Sequence, residues 1–107
     1  MDNQRALFRV ALNQPGELHH EGQTSSCELV NLTEQGFQLK THLRLASGDQ
    51  LRLTLDLPNH ATIRCTITVT NTTPSHIGCR ISEIDPSDQE QLSRFIEQLN
   101  ALNLTGF

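Results

Sequence analysis

Apolar and polar residues alternate along most of this chain with a period of two. The clearest run extends from Leu51 to Leu57, where every second residue is leucine. Such alternation is typical of a β-strand with one buried face and one solvent-exposed face. Five further segments show the same pattern, with these apolar members: Phe8, Val10 and Leu12; Cys27 and Leu29; Phe37 and Leu39; Ile63, Cys65, Ile67 and Val69; Ile77, Cys79 and Ile81.

Residues that favour turns separate these predicted strands. They are Pro15-Gly16, Gly22, Gly36, Ser47-Gly48-Asp49, Pro58-Asn59 and Pro74-Ser75. Six short strands with one apolar face need to close around a core, and a small antiparallel barrel achieves this. We therefore predict an all-β fold with one C-terminal helix, in which a six-stranded antiparallel barrel spans residues 10–84. Residues 1–9 are expected to form a flexible arm, within one domain of residues 1–107.

The period changes after residue 84 and predicts a helix over residues 85–104. Asp85-Pro86 offers a capping residue followed by proline at the first helical position, and residues 87–90 offer an alternative capping box. Gly106 is the expected stop. The apolar stripe is expected either to lie across the barrel or to meet another chain, which leaves a homodimer open. The stripe consists of Leu92, Phe95, Ile96, Leu99 and Leu102, spaced as on one helix face.

Composition narrows the classes of function. The 107 residues carry a net charge of −4, which argues against general binding to duplex nucleic acid or to an anionic membrane. We find neither a signal peptide nor an apolar run of membrane length, and we expect a cytoplasmic protein. Cys27, Cys65 and Cys79 lack CxxC spacing and are interpreted as buried thiols in a reducing compartment.

Two short segments carry the candidate chemistry. RALFR, at residues 5–9, places Arg5 and Arg9 four apart, so both can point to the same side of an extended or helical segment. Taken without the second segment, RALFR is interpreted as a solvated arm. Taken without the first, NLTEQG at residues 31–36 is interpreted as a tight turn whose glycine accepts a positive φ. Together they suit a guanine ligand, because arginine matches phosphates and the O6/N7 edge. Asn31 and Thr33 could face the opposite guanine edge, and Gly36 would allow close approach to the backbone.

An N-terminal RxxxR followed by an [Asp/Asn]-x-[Ser/Thr]-x-x-Gly about two dozen residues later resembles the PilZ domain family. IGCRISEIDPSDQEQLSRFIEQL looks like the family's closing strand and helix, so the resemblance covers nearly the whole chain. It implies a six-stranded barrel and a bacterial receptor for the second messenger cyclic di-GMP, with no further cofactor. The implied ligand-binding residues are Arg5, Arg9, Asn31, Thr33 and Gly36, with Gln4, His76 and Gly78 as rim candidates.

The chain departs from the commonest family pattern at three positions. Asn31 replaces aspartate, Thr33 replaces serine, and Gln35 stands where a second glycine is frequent. One bidentate base contact contributes roughly 1–3 kcal/mol, whereas micromolar binding needs about 8 kcal/mol in total. We therefore expect these departures to alter affinity without abolishing it.

Other kinds of site fit the sequence less well. The five histidines show neither HxH nor helical i, i+4 spacing, so we assign no metal ligands. Carboxylate neighbours such as Glu17 and Glu21 fall in a loop, and Asp85 and Asp88 suit helix capping. Single-stranded nucleic acid calls for a basic face and stacking aromatics, but the chain is acidic and has no Trp or Tyr. We expect no catalytic residues, and neither DNA nor RNA as a partner.

Two functions follow from the resemblance. The first is a receptor that binds cyclic di-GMP and signals through an unidentified effector protein, since 107 residues leave no room for an output domain. The alternative is a protein-interaction adaptor of the same fold that does not bind nucleotide. Arg5, Arg9 and Gly36 favour the receptor, whereas Asn31 and Thr33 keep the adaptor open.

Overall fold

The computed structural model describes residues 10–32, 36–57 and 61–105. Within them, six strands precede one helix, α1, which spans Pro86–Thr105. The strands are β1 Val10–His20, β2 Gln23–Leu32, β3 Gly36–Thr41, β4 Gln50–Asp56, β5 Thr62–Thr72 and β6 Ile77–Ile84.

The strands form a closed barrel in the order β1-β2-β3-β6-β5-β4, and β4 pairs with β1 to close it. Every neighbouring pair is antiparallel. The predicted fold class is therefore confirmed. Closure also makes neighbours of β3 and β6, which are distant in sequence, so residues 36–39 lie beside residues 77–80.

The inward-facing side chains are those that the alternation predicts. In β4, Leu51, Leu53 and Leu55 are buried, while Arg52 between them is exposed. Burying a leucine side chain instead of leaving it exposed to solvent contributes about 1.5–3 kcal/mol. A slip of the register by one residue would expose all three leucines, so the observed register is strongly favoured. The main core residues are Leu18, Leu29, Leu32, Phe37, Leu39, Leu51, Leu53, Leu55, Leu57, Ile63, Ile67, Val69 and Ile77.

All three cysteines are free thiols inside this core, as predicted. Burial raises the pKa of Cys27 to about 11 and the pKa of Cys65 and of Cys79 to about 12. A buried thiol with a raised pKa stays protonated at neutral pH and is a poor nucleophile or metal ligand. The thiols therefore serve as small apolar side chains.

Helix α1 starts at the Asp85-Pro86 signal. The N–H of Gln89 donates to the carbonyl oxygen of Asp85 at 2.8 Å, which closes the first turn. Leu92, Phe95 and Ile96 are buried among the core residues of the strands. The helix therefore packs against the barrel, the first of the two placements expected. Gly106, its expected stop, lies outside the described residues.

The turn signals were correct at two glycines and wrong at one pair of residues. Gly22 and Gly48 have positive φ values of 81° and 97°, as tight turns require. Pro15 and Gly16 instead lie inside β1, which continues to His20. The Pro58-Asn59 signal lies outside the described residues.

The strand tolerates Pro15 because a neighbouring side chain replaces the hydrogen-bond donor that proline lacks. Gly16 pairs with Leu55, so the next position of the ladder sets Pro15 beside Asp56. The side-chain amide Nε2 of Gln14 donates to the carbonyl oxygen of Asp56 at 2.7 Å, and Gln14 is only 7% exposed. The β1–β2 register shifts between Ala11 and Gln14, and prolines within sheets are typically found at such irregularities.

Candidate functional site

Asn31 lies near the end of β2 on the outer face of the barrel. Its neighbour Leu32 is buried, whereas Asn31 is only half-buried. The β2–β3 register shifts between Leu29 and Asn31 and brings Asn31 opposite Gln38. The Nδ2 of Asn31 donates to Oε1 of Gln38 at 2.5 Å, which orients both amides. Within the described residues the Oδ1 of Asn31 accepts no hydrogen bond, so it can receive one from a ligand N–H group.

The same row continues across β6 to β5. Gln38 pairs with Gly78, and Gly78 pairs with Asn71. A Cβ at Gly78 would lie 2.2 Å from Oδ1 of Asn71, because the Asn71 side chain covers that glycine. We call Asn31, Gln38, Gly78 and Asn71 the amide row. It contains three side-chain amides and one position without a side chain, the rim candidate Gly78, which lies between Gln38 and Asn71.

Gly36 begins β3 and pairs with Arg80 of β6. A Cβ at this position would lie 2.1 Å from the carbonyl oxygen of Cys79 and 3.0 Å from the Cα of Arg80. Both obstacles are backbone, so any other residue would force β3 and β6 apart. The glycine is therefore required for close strand approach. The turn predicted for NLTEQG falls on residues 33–35, which lie outside the described residues.

Arg80 is a cation at this site that the motifs did not indicate. It is exposed, and it pairs across the ladder with Gly36 on one side and Thr68 on the other. Among the described residues it forms neither an ion pair nor a side-chain hydrogen bond. The guanidinium can therefore bind an anion without first breaking another contact. Alternation in IGCRI puts Gly78 and Arg80 on one outward face, but only the β3–β6 pairing shows what they face.

The family profile described as PilZ domain matches residues 3–98 of the sequence. The chain belongs to the PilZ domain family. No curated protein matches the sequence significantly. The family assignment confirms the resemblance found in the motifs.

Solved PilZ structures share the fold. The PilZ domain of YcgR from Escherichia coli, solved with c-di-GMP, superposes with a TM-score of 0.75 at 14% identity over 92% of this chain and 93% of that one. The MrkH–c-di-GMP complex of K. pneumonia gives 0.82 at 16% identity, over 100% of this chain and 56% of that one. Bacillus subtilis MotI/DgrA, an inhibitor of motility, gives 0.75 at 23% identity, over 92% and 53%. The chain thus spans about half the length of MotI and MrkH.

The remaining predicted site residues of this PilZ domain fall into two groups. Gln4, Arg5, Arg9, Thr33 and the unusual Gln35 lie outside the described residues. His76 is described, but it lines a groove formed by residues 39–45 and 72–77 at the far end of β3 and β6. The structure therefore places Asn31 and Gly78 in one row with Gly36 two residues before it on β3, whereas His76, two residues before Gly78, lines the groove.

The described part of this PilZ domain contains neither a metal-binding cluster nor a membrane-spanning helix. No group of three or more His, Cys, Asp or Glu residues there is arranged to hold a metal ion. Across the same residues, no helix has both the length and the apolar character needed to span a bilayer. The amide row with Gly36 and Arg80 combines hydrogen-bonding side chains with a cation that is unpaired among the described residues, which suits a polar, anionic ligand.

Proposed function

We propose that this PilZ domain is a receptor that binds cyclic di-GMP on the outer face of the barrel. Asn31 and Thr33 read a guanine edge, and Arg5, Arg9 and Arg80 contact the phosphates and the Hoogsteen edges. Gly36 keeps β3 and β6 close together beside the site, and at Gly78 a flat base reaches the strand when the Asn71 side chain moves aside. Binding requires no catalysis, and a 107-residue domain passes its signal to a cytoplasmic effector protein.

One observation carries this proposal. β1 begins at Val10 opposite Leu32, and Ala11 lies opposite Asn31. Paired residues in an antiparallel ladder have Cα atoms about 4.5–5.5 Å apart. The chain therefore enters the barrel beside the NxTxxG motif, one residue after Arg9. This start of β1 beside Asn31 supports a site that includes both motifs.

The comparisons support the same ligand. The YcgR and MrkH structures, both similar in fold to this chain, were solved with c-di-GMP. This chain keeps both arginines and the glycine of the motifs. Asn31 retains one free acceptor oxygen where aspartate would present a carboxylate, so we expect binding with altered affinity.

Calorimetry with cyclic di-GMP tests the proposal, using wild type, Arg9→Ala and the control Arg64→Ala. Arg64 is exposed on β5, opposite Thr54 and remote from the amide row. Loss of one bidentate contact of roughly 1–3 kcal/mol should weaken binding about tenfold to a hundredfold in Arg9→Ala. Arg64→Ala should match wild type, and the fitted stoichiometry will distinguish one nucleotide from an intercalated pair. Absence of heat with wild type would end the proposal.

An adaptor that does not bind nucleotide is the second candidate, and the fold shared with the motility inhibitor MotI favours it. A pull-down from bacterial lysate distinguishes the two proposed functions. Capture of an effector that changes when cyclic di-GMP is added supports the receptor. Capture indifferent to the nucleotide, together with silent calorimetry, supports the adaptor.

A further inference from the structure

A second concave surface lies at the opposite end of β3 and β6 from Gly36. It is a groove of about 700 Å³ between residues 39–45 and residues 72–77, with residues 26–28 at its side. We call it the basic groove after its nitrogen-bearing side chains Lys40, His42, Arg44 and His76. Neither the motifs nor the amide row account for it.

The groove exists because β3 extends beyond its partner strand. Pairing with β2 continues to Thr41, which lies opposite Cys27, whereas pairing with β6 stops at Leu39 and Ile77. The chain before β6 turns back on itself, and the N–H of Thr73 donates to the carbonyl oxygen of His76 at 2.9 Å. In the described part of the chain, β3 after Leu39 therefore has no neighbouring strand on this side.

The charge of the groove is opposite to that of the whole chain. Lys40 and Arg44 are exposed, and within the described residues neither forms an ion pair. Glu28 is the one carboxylate among the lining residues and lies opposite Lys40 in the ladder. A net charge of −4 for the chain makes this local excess of cations a distinct feature.

We propose that the basic groove docks an extended acidic segment of a partner protein. An extended peptide can add to an exposed strand edge, where the backbone gives affinity and alternate side chains give specificity. Here the open edge is that of Lys40 and Thr41, and the segment's carboxylates meet Lys40 and Arg44. An anionic membrane fits poorly, because such recognition uses clusters of about four to eight lysines or arginines on an accessible surface.

The position of the groove makes it suited to signal output. Lys40 is two residues beyond Gln38 on the same outward face, a distance of about 7 Å along the strand. β3 therefore carries both the amide row and the edge of the groove. The docking proposal does not depend on nucleotide binding, and the two can succeed or fail separately.

The test is an NMR titration of the isotope-labelled full chain with a hexaglutamate peptide, and with hexaglutamine as the uncharged control. Lys40→Gln/Arg44→Gln removes both groove cations. Arg52→Gln/Arg64→Gln removes two exposed cations from β4 and β5 and changes the net charge equally. We expect shifts confined to residues 39–45 and 72–77, at least about fivefold weaker binding in the groove variant, and binding within twofold of wild type in the control variant. Thermal unfolding of each variant checks that the fold is intact.

Several outcomes would overturn the proposal. They are no shifts with hexaglutamate, equal shifts with hexaglutamine, or equal weakening in both double variants, which would indicate general charge attraction. A parallel NMR titration with inorganic phosphate provides a further test. If phosphate moves the groove resonances and hexaglutamate does not, the groove is a small-anion site and no peptide docks there.

Discussion

Two outer faces of the same barrel carry exposed arginines but differ in what surrounds them. On β4 and β5, Arg52 lies opposite Thr66 and Arg64 lies opposite Thr54, and neither strand contains glycine. On β3 and β6, Arg80 lies opposite Gly36, one outward position from Gly78. A surface arginine alone contributes little. The comparison indicates that closely approaching strands and oriented amides beside a cation make the difference between a solvated face and a candidate site.

The largest expected effect comes from filling the close approach of β3 and β6. In Gly36→Ala the new Cβ meets the Cys79 carbonyl oxygen, which is backbone and cannot move aside. We expect a loss of about 3 kcal/mol or more in the free energy of unfolding, at or above the usual range for overpacking. Gly78→Ala is the matched control, because its obstacle is the movable Asn71 side chain, and about 1 kcal/mol or less should be lost. Urea denaturation measures both, and equal losses would contradict this account.

The pairing of β1 with β4 can be weakened by a substitution outside the candidate site. Gln14→Leu leaves the Asp56 carbonyl oxygen without the donor that compensates for Pro15. Asp56 is exposed and this hydrogen bond is only partly buried. Urea denaturation should therefore show a loss of about 0.5–1.5 kcal/mol, the net value of one hydrogen bond, with nucleotide affinity unchanged in the folded protein. Gln23→Leu is the control, since Gln23 is exposed and the change should stay within about 0.5 kcal/mol. A Gln14→Leu variant as stable as wild type would show that the hydrogen bond has no net value.

The comparison between the arginines can be tested directly. Arg80→Ala should weaken cyclic di-GMP binding about tenfold, because an unpaired guanidinium beside Gly36 is lost. Arg52→Ala removes the same charge from the other face and should change affinity less than twofold. Calorimetry on both variants provides the measurement. Equal weakening would mean that overall charge, and not position, sets affinity.

The smallest expected effect is the change in cyclic di-GMP affinity when one amide of the amide row becomes a carboxylate. In Asn31→Asp a carboxylate can accept from Gln38, after its amide rotates, and from two ligand donors at once. We expect cyclic di-GMP to bind a few-fold tighter, as judged by calorimetry. Asn71→Asp, at the opposite end of the row, should have less influence. Weaker binding in Asn31→Asp would show that the uncharged amide is the preferred reader in this chain.

Local sequence patterns were sufficient for the fold. Alternation defines an inner and an outer face within each strand, and Asp85-Pro86 sets the start of α1 through interactions confined to one turn. The Pro15-Gly16 turn was wrong because the outcome depended on Asp56, which lies about forty residues away and accepts the compensating hydrogen bond.

The candidate site was only partly predictable for the same reason. Asn31 and Gly36 belong to one short motif and were found from it. Gln38 and Arg80 become site residues only because β3 lies beside β6, and the alternation of either strand carries no information about its neighbour. The binding roles of Arg5, Arg9, Asn31, Thr33 and Gly36 all stay predictions.

The hydrogen bond from Gln14 ties together two positions that look independent in the sequence. Any residue other than proline at position 15 would bring its own N–H to the Asp56 carbonyl and leave the glutamine redundant. Changes at the two positions should therefore be non-additive, with Gln14→Leu harmful beside proline and nearly neutral beside alanine. Among related barrels, a proline at this position is therefore expected to be accompanied by a side-chain donor at the position before it.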